Sequence, residues 1–235
     1  MSFKAPINLR NDVRSALLSF FDKHLNKEMS VYDIGCGDKP FSGYMEGKVK
    51  SYLGVDIEDG FYDAGHIDIV GTAYNVPVED GVADAIVSSQ VLEHLDKPLD
   101  AIKEAGRVLK PGGLLLMSSP FLYPIHAAPH DYGRYTFYFL EAKLKEHGLE
   151  IVEQKSIGGF WYCVGMYAGM YLQMLDRGLL KKTYIAKALI WLIKIILLGM
   201  HSLEGAMLEL VEKDPEKFRA VWTVNYVLVA RKSKV

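Results

Sequence analysis

Two groups of residues in this chain have types and spacings suited to chemistry. The first is VYDIGCGDKPF, Val31–Phe41, an apolar run that closes in a Gly-Cys-Gly turn. About twenty residues further on, the run YLGVD ends in the carboxylate of Asp56. A Gly-x-Gly turn lets bare backbone approach a ligand, and a carboxylate at the end of the next strand suits the two hydroxyls of a ribose. The pair predicts one βαβ unit that holds an adenosine moiety. The second group is PFLYPIHAAPHDYGRYT, Pro120–Thr136, which packs three prolines, two histidines, three tyrosines, an Asp and an Arg into seventeen residues. It follows an apolar run, LLLMSS, and so lies at the carboxyl end of a predicted strand, where open α/β sheets bind ligands. It reads as a substrate-facing loop.

Both groups need strands and helices to position them. Asn8–Lys27 has helical periodicity, with Leu9, Val13, Leu17, Phe20, Phe21 and Leu25 on one face. Strands are predicted at Ser30–Ile34, Ser51–Val55, Ile67–Val70 and Asp84–Ser88, and Pro40 suits the first turn of a helix after the first of them. Pro98–Leu109 reads as a helix stopped by LKPGG, Leu109–Gly113, before a fifth strand at Leu114–Ser119. Thr136–His147 reads as a helix and Leu149–Ser156 as a strand. The alternation then breaks into a long helical stretch, Gly158–Lys217, before a last strand, Ala220–Ala230. Alternating strands and helices predict a parallel doubly wound sheet, with the last strand added antiparallel.

The 235 residues suit a single domain: a helical cap over 1–29, a ligand-binding core over 30–157, a helical insertion over 158–217 and a last strand with tail over 218–235. A net charge of −2 without a basic run argues against nucleic acid as a partner. The two cysteines, Cys36 and Cys163, have no metal spacing and suit a reduced, cytoplasmic setting. The start of the chain has no apolar core of signal-peptide length. Within the insertion, Trp161, Tyr162, Met166, Tyr167, Met170, Tyr171 and Met174 recur at helical spacing, and Tyr184–Met200 is apolar except for Lys187 and Lys194. That apolar stretch reads as a buried helix of the insertion or of a dimer interface. The alternatives are a helix lying on a membrane surface with its lysines snorkelling, which would place the protein at the inner face of the membrane, and a transmembrane helix.

The order of motifs resembles a known family. DIGCG, the acid that ends strand two, ADAIVSSQVLEHLDKP and EAGRVLKPGGLLLMSSP look like the class I S-adenosylmethionine-dependent methyltransferases, in the broad subgroup called methyltransferase type 11. The resemblance implies a Rossmann-like α/β fold: a seven-stranded, mostly parallel sheet with helices on both faces and a helical insertion before the last strand. It also implies S-adenosylmethionine as the cofactor. Asp33 and the turn Gly35, Cys36 and Gly37 would surround its methionine part, and Asp56 would bond the ribose hydroxyls. Ile57 would pack on the adenine, with Thr72 and Ala73 at its edge. Ser89 and Gln90 would contact the methionine amino end, and Glu93 and His94 follow one turn later. Relatives often carry a third Gly where this chain has Asp38-Lys39-Pro40, and an Asp where it has Thr72; a backbone carbonyl or Asp68 would substitute for the latter. A dinucleotide is disfavoured, because Pro40 replaces the Gly that a dinucleotide turn needs and no second Gly-rich turn follows.

Methyl transfer from a sulfonium needs alignment above all, and an oxygen nucleophile also benefits from a general base. His130 is the first choice for that base, with Asp131 to orient it or to replace it, and Arg134 suits an anionic group on the substrate. Tyr132 and Tyr135 suit stacking on a ring. His126, His130 and Asp131 could ligate a metal, but three ligands within six residues are awkward for one ion, and none is expected. The acceptor is expected to be a small or lipid-linked molecule, sugar-like and methylated on oxygen. An aromatic, quinone-like or carboxylate acceptor is the alternative, and a non-catalytic cofactor-binding protein is the alternative of another class.

Overall fold

The computed structural model describes residues 9–58, 64–177, 184–211 and 215–234. Residues 1–8 lie outside the described residues, including Asn8 at the expected start of the first helix. So do 178–183 and 212–214 of the expected insertion, and the side chains of Leu9, Met174, Lys187 and Lys194.

The chain begins with α1 (Leu9–His24), β1 (Ser30–Ile34), α2 (Ser42–Met45), β2 (Ser51–Asp56), β3 (Ile69–Val70) and β4 (Ala83–Ser89). It continues through α3 (Pro98–Val108), β5 (Leu109–Pro120), α4 (Phe137–Glu146) and β6 (Leu149–Gly158). Then come α5 (Phe160–Arg177), α6 (Tyr184–Val211), α7 (Pro215–Val221) and β7 (Thr223–Lys232). The strands form one seven-stranded sheet in the order β3-β2-β1-β4-β5-β7-β6. β1 pairs in parallel with β2 and with β4, β2 with β3, and β4 with β5. The carbonyl of Gly148 accepts from Ser233 N–H while that of Trp222 accepts from Gly159 N–H, so β6 and β7 run antiparallel. Lys232 meets the Leu109 carbonyl near one end of β5, and Tyr226 meets Phe121 just past the other, so β7 also opposes β5. This is the expected doubly wound α/β sheet with a reversed last strand.

Three local expectations change. Pro40 does not open a helix. Lys39 takes a left-handed φ of +47°, the Pro40 carbonyl accepts from Arg14, and the chain makes a single helical turn only from Ser42. The LKPGG turn lies inside β5 rather than before it. Pairing jumps from Ala83–Leu109 to Ala85–Leu114, so Lys110–Gly113 bulge out of the ladder. Gly112 makes this possible with φ +82°, a conformation that costs other residues energy. Finally, α7 runs on to Val221, so the last strand starts at Thr223 rather than Ala220.

The chain divides into two compact units: Arg14–Lys155 with Tyr226–Val235, and Ser156–Asn225 with the start of the chain up to Val13. In the second unit α5 packs against α6. Glu204 accepts from the N–H groups of Phe160 and Trp161, at 2.9 and 3.1 Å, and so satisfies orphan donors in the first turn of α5. Tyr162 donates to Asp12 at 2.6 Å and meets His201 edge-on. Burial of this apolar stretch within the insertion does not hold for most of its described side chains. Trp191, Leu192, Ile195, Ile196, Leu203 and Met207 are exposed on α6, and Leu197 and Leu208 are buried. By length and composition alone, Trp191–Leu208 is long and apolar enough to cross a membrane.

In the first unit the core gathers Ile34, Val55, Ile86, Leu115, Leu144 and Leu228. Arg107, from the EAGRVLKPGG motif, ties the loop before β4 to α3. Its guanidinium bonds Glu104 at 2.7 and 2.8 Å, Asp80 at 2.6 Å, and the carbonyls of Val76 and Val78 at 2.9 Å. Glu104 in turn accepts from Val76 N–H at 2.7 Å. Removing this cation would leave the nearly buried Glu104 carboxylate unpaired and two carbonyls without their donor. Arg107→Ala is expected to lower stability by about 2–4 kcal/mol, and Arg107→Lys to recover only part of that, because an ammonium cannot span the fork. Urea unfolding of the three proteins measures it.

Candidate active site

Parallel pairing places the carboxyl ends of β1, β2, β4 and β5 along one edge of the sheet, and the motif residues gather there. Gly35 follows β1 with φ +76°, and a Cβ at that position would come within 2.5 Å of Val91, just past β4. Only glycine lets the turn close against that side chain. Asp56 closes the same turn from β2. Its Oδ2 accepts from Gly37 N–H at 2.7 Å and its Oδ1 from Ile57 N–H at 2.8 Å. Each oxygen keeps acceptor capacity for a hydroxyl. Ile57 is 45% exposed beside this carboxylate, an apolar face open to a flat ring. Cys36 contributes backbone only: its thiol is buried, donates to the Gly37 carbonyl, and is pushed up to about 12, chiefly by burial.

Asp33 is buried beneath the turn and accepts a hydrogen bond from the Tyr52 hydroxyl. Burial raises its carboxyl to about 7, against the opposing pull of that bond. Tyr52 carried no signal in the sequence, and neither did the partner of Lys39. The Lys39 ammonium pairs with Asp68 at 2.5 Å, and Asp68 also accepts from Gly54 N–H at 2.6 Å. Asp68 is thereby committed to the underside of the turn instead of to an adenine edge. Partial burial pushes its carboxyl up, but Lys39 and Gly54 N–H outweigh it and hold it low. Thr72 uses its hydroxyl to accept from Tyr74 and Asn75 N–H, which shapes the turn where Ala73 sits. Ser89 and Gln90 both reach Ser118 on β5, at 3.0 Å, and Gln90 has φ +59°. Asp33, Gly35, Gly37, Asp56, Ile57, Ala73, Ser89 and Gln90 therefore all lie in or beside the turns at one sheet edge.

The loop 120–136 is built around an ion pair. Asp131, with its side chain only 3% exposed, takes both ends of the Arg134 guanidinium, at 2.5 and 2.8 Å, and accepts from His126 N–H at 2.8 Å. Arg134 also donates to the carbonyls of Tyr123, Pro124 and Gly133. Arg134 holds the Asp131 carboxyl well below the usual carboxylate range. The structure thus pairs Asp131 with Arg134, where the sequence pointed to Asp131 serving His130 and Arg134 a substrate anion. Both act on the shape of the loop, because charges in a bidentate pair with the carboxylate buried hold each other in place. His130 is exposed, with Nδ1 3.3 Å from the Tyr132 hydroxyl, and Tyr132 is exposed beside it. The loop is pinned to the turn after β4, where Tyr132 N–H and Gly133 N–H donate to the Glu93 carbonyl and His94 Nδ1 lies 2.6 Å from the His130 carbonyl. Glu93 is fully buried, and burial raises its carboxyl to about 8.

The site fits S-adenosylmethionine. It has a cradle from which a Cβ is excluded, a two-oxygen acceptor at the end of β2, and an exposed apolar face next to it. Comparison with known proteins agrees. Residues 32–117, from β1 to late β5, match the methyltransferase domain family. A malonyl-[acyl-carrier protein] O-methyltransferase of Serratia marcescens is 30% identical over 124 residues, covering 50% of this chain and 48% of that protein. An uncharacterized methyltransferase of Schizosaccharomyces pombe is 26% identical over 160 residues, covering 59% of this chain and 56% of the relative. The chain thus spans about half the length of these curated relatives. Among solved structures, a candidate sarcosine dimethylglycine methyltransferase from Galdieria sulphuraria has a TM-score of 0.61 at 19% identity, covering 99% of this chain and 92% of the other. The [4+2]-cyclase SpnF has a TM-score of 0.58 at 18% identity, covering 93% and 80%. Residues 32–117 thus match the methyltransferase domain family, and the chain has the Rossmann-like fold of S-adenosylmethionine-dependent methyltransferases.

Asp33 gives this site a pH signature. Its carboxyl ionises in the ordinary range in the unfolded chain but only near 7 in the folded one. Between those values the native state holds the extra proton, so stability falls as pH rises through the window. Asp33→Asn is expected to flatten that slope, and thermal unfolding of both proteins from about pH 4 to 8 tests it.

Proposed function

We propose that the chain is an S-adenosylmethionine-dependent methyltransferase that methylates an oxygen of a small or lipid-linked, sugar-like acceptor in the cytoplasm or at the inner face of the membrane. The observation that carries this reading is the gathering of the carboxyl strand ends of four ordered motifs, with the aromatic and histidine-rich loop 120–136, on one edge of a parallel sheet. When bound, S-adenosylmethionine supplies a methyl group already activated on a sulfonium. The glycine turn accepts its methionine part, Asp56 bonds the ribose hydroxyls, and Ile57 and Ala73 flank the adenine. Ser89 and Gln90 stand at the amino end. His130 takes the proton of the acceptor hydroxyl on Nε2, while Nδ1 stays beside the Tyr132 hydroxyl. The exposed ring of Tyr132 offers a sugar a stacking face. Asp131 and Arg134 are positioning residues that hold His130 through the loop backbone. The exposed apolar row on α6 supports contact with a membrane surface or with a second copy of the chain.

A second reading is a carboxylate acceptor, favoured by the name of the Serratia relative. A carboxylate is already ionised near neutral pH and needs no base. A third is a cofactor-binding protein without methyl transfer. The likeness to a cyclase supports keeping it open, since one fold hosts several chemistries.

Calorimetric titration with S-adenosylmethionine and S-adenosylhomocysteine tests the core of this reading. Micromolar binding is expected, weakened about tenfold or more by Asp56→Ala. A folded wild type that binds neither ligand would overturn it. In an acceptor screen, His130→Ala should slow transfer to a hydroxyl by about a hundredfold or more and leave transfer to a carboxylate nearly unchanged. Sedimentation with liposomes decides between the surfaces proposed for α6: a dimer that ignores vesicles removes the membrane.

A further inference from the structure

Next to the loop, three potential ligands converge that the cofactor cradle does not use. The ligating atoms of Glu93, His94 and His126 all lie within 4.8 Å of one another. Glu93 is 0% exposed, and neither of its carboxylate oxygens has a hydrogen-bond partner among the described residues. A buried carboxylate without a donor is strongly disfavoured unless a proton or a cation neutralises it. The neighbouring histidines are turned to supply bare nitrogens. His94 Nδ1 faces the His130 carbonyl at 2.6 Å, an acceptor only, so Nδ1 carries the proton. That leaves Nε2 as a lone pair, and it stands 3.9 Å from Glu93 Oε1. His126 Nδ1 lies 3.3 Å from the Pro124 carbonyl and 3.4 Å from the Asp131 carboxylate, both acceptors. The Arg134 nitrogen, also 3.3 Å from Nδ1, donates to the Pro124 carbonyl and the Asp131 carboxylate. In the tautomer that gives the Nδ1 proton to these acceptors, His126 offers Nε2 as a lone pair. A backbone carbonyl behind each histidine, with Asp131 joining the one behind His126, is the outer-shell pattern that orients metal-binding imidazoles.

We propose that Glu93, His94 and His126 bind one divalent transition-metal ion, of the Zn2+, Mn2+ or Co2+ class, through the carboxylate and the two Nε2 atoms. Two acceptors 3.9 Å apart are too far for a hydrogen bond, and ligands on one tetrahedral ion with bonds of about 2.0–2.2 Å stand about 3.4 Å apart, so a shift of about half an ångström closes the pair on an ion. The set differs from the one the sequence suggested. His130 turns to Tyr132 and Asp131 is held by Arg134, so neither completes a site with His126. Two ligands come instead from the turn after β4, and the loop after β5 brings the third across. Two histidines and one carboxylate leave coordination positions open. His94 and His126 are part-exposed, so an oxygen ligand can reach those positions. That this ligand is the acceptor's hydroxyl or carboxylate rests on the function proposed above; the binding of the metal does not.

The test uses the full chain stripped with EDTA, desalted, and titrated with Co2+ near neutral pH, followed by visible absorption and calorimetry. One equivalent with ligand-field bands is expected, weakened tenfold or more in His126→Ala and in Glu93→Gln, and unchanged in His147→Ala. Part-exposed His126 keeps the test decisive should the buried Glu93 variant fail to fold. No saturable binding by folded wild type overturns the site, as does stoichiometric binding that survives in His126→Ala. Titrating the same stripped protein with S-adenosylmethionine separates the two readings. Cofactor binding without Co2+ binding removes the metal site alone, and Co2+ binding without cofactor binding removes the methyltransferase reading alone.

Discussion

Parallel pairing of β1 with β2 on one side and β4 on the other is the constraint on which the rest of the site depends. Parallel strands deliver their following turns to the same edge, so Gly35, Asp56 and Gln90 become neighbours although they are far apart in the chain. Two contacts then lock that edge. Asp56 accepts from Gly37 N–H, and Gly35 leaves room for Val91. A side chain at Gly35 would strain both the turn and the segment after β4, because the space and the left-handed backbone are demanded at the same residue. The cradle is thus a property of three strand ends held in register.

Buried carboxylates are handled in different ways around this edge. Asp131 is paired bidentately with Arg134 and stays ionised. Among the described residues Asp33 meets the Tyr52 hydroxyl and the more distant Lys39, and burial raises it to about 7. Glu93 has no donor for either oxygen among the described residues and rises further. The order follows from how much of the lost hydration each environment replaces. A fully satisfied pair serves as a fixed frame, which is what the loop 120–136 needs. The less satisfied carboxylates stand where a ligand has something to add.

The helical unit shows the same economy at its own scale. Glu204 of α6 satisfies the first donors of α5, so the start of that helix is set by a residue some forty positions away rather than by a local cap. The exposed apolar residues on α6 have no such partner among the described residues, which supports a role outside the chain.

The sequence by itself determined the alternation of strands and helices, the order of the motifs, and the placement of Asp33, the glycine turn and Asp56. These are local matters: apolar runs, a Gly-x-Gly turn and the residue ending a strand are written in consecutive positions. Boundaries shifted where a contact from elsewhere intervened, as at Pro40, held by Arg14, and at LKPGG, drawn into β5 by its pairing with β4. The tertiary structure alone decided the roles of the side chains. Asp131 and Arg134 are near neighbours of His130 in sequence, yet they face each other, because a carboxylate that is being buried takes the strongest donor within reach. Tyr52 meets Asp33, and Glu93 meets His126, only because separate strands carry them to one edge. Such encounters are set by the packing of distant segments, and no spacing along the chain records them.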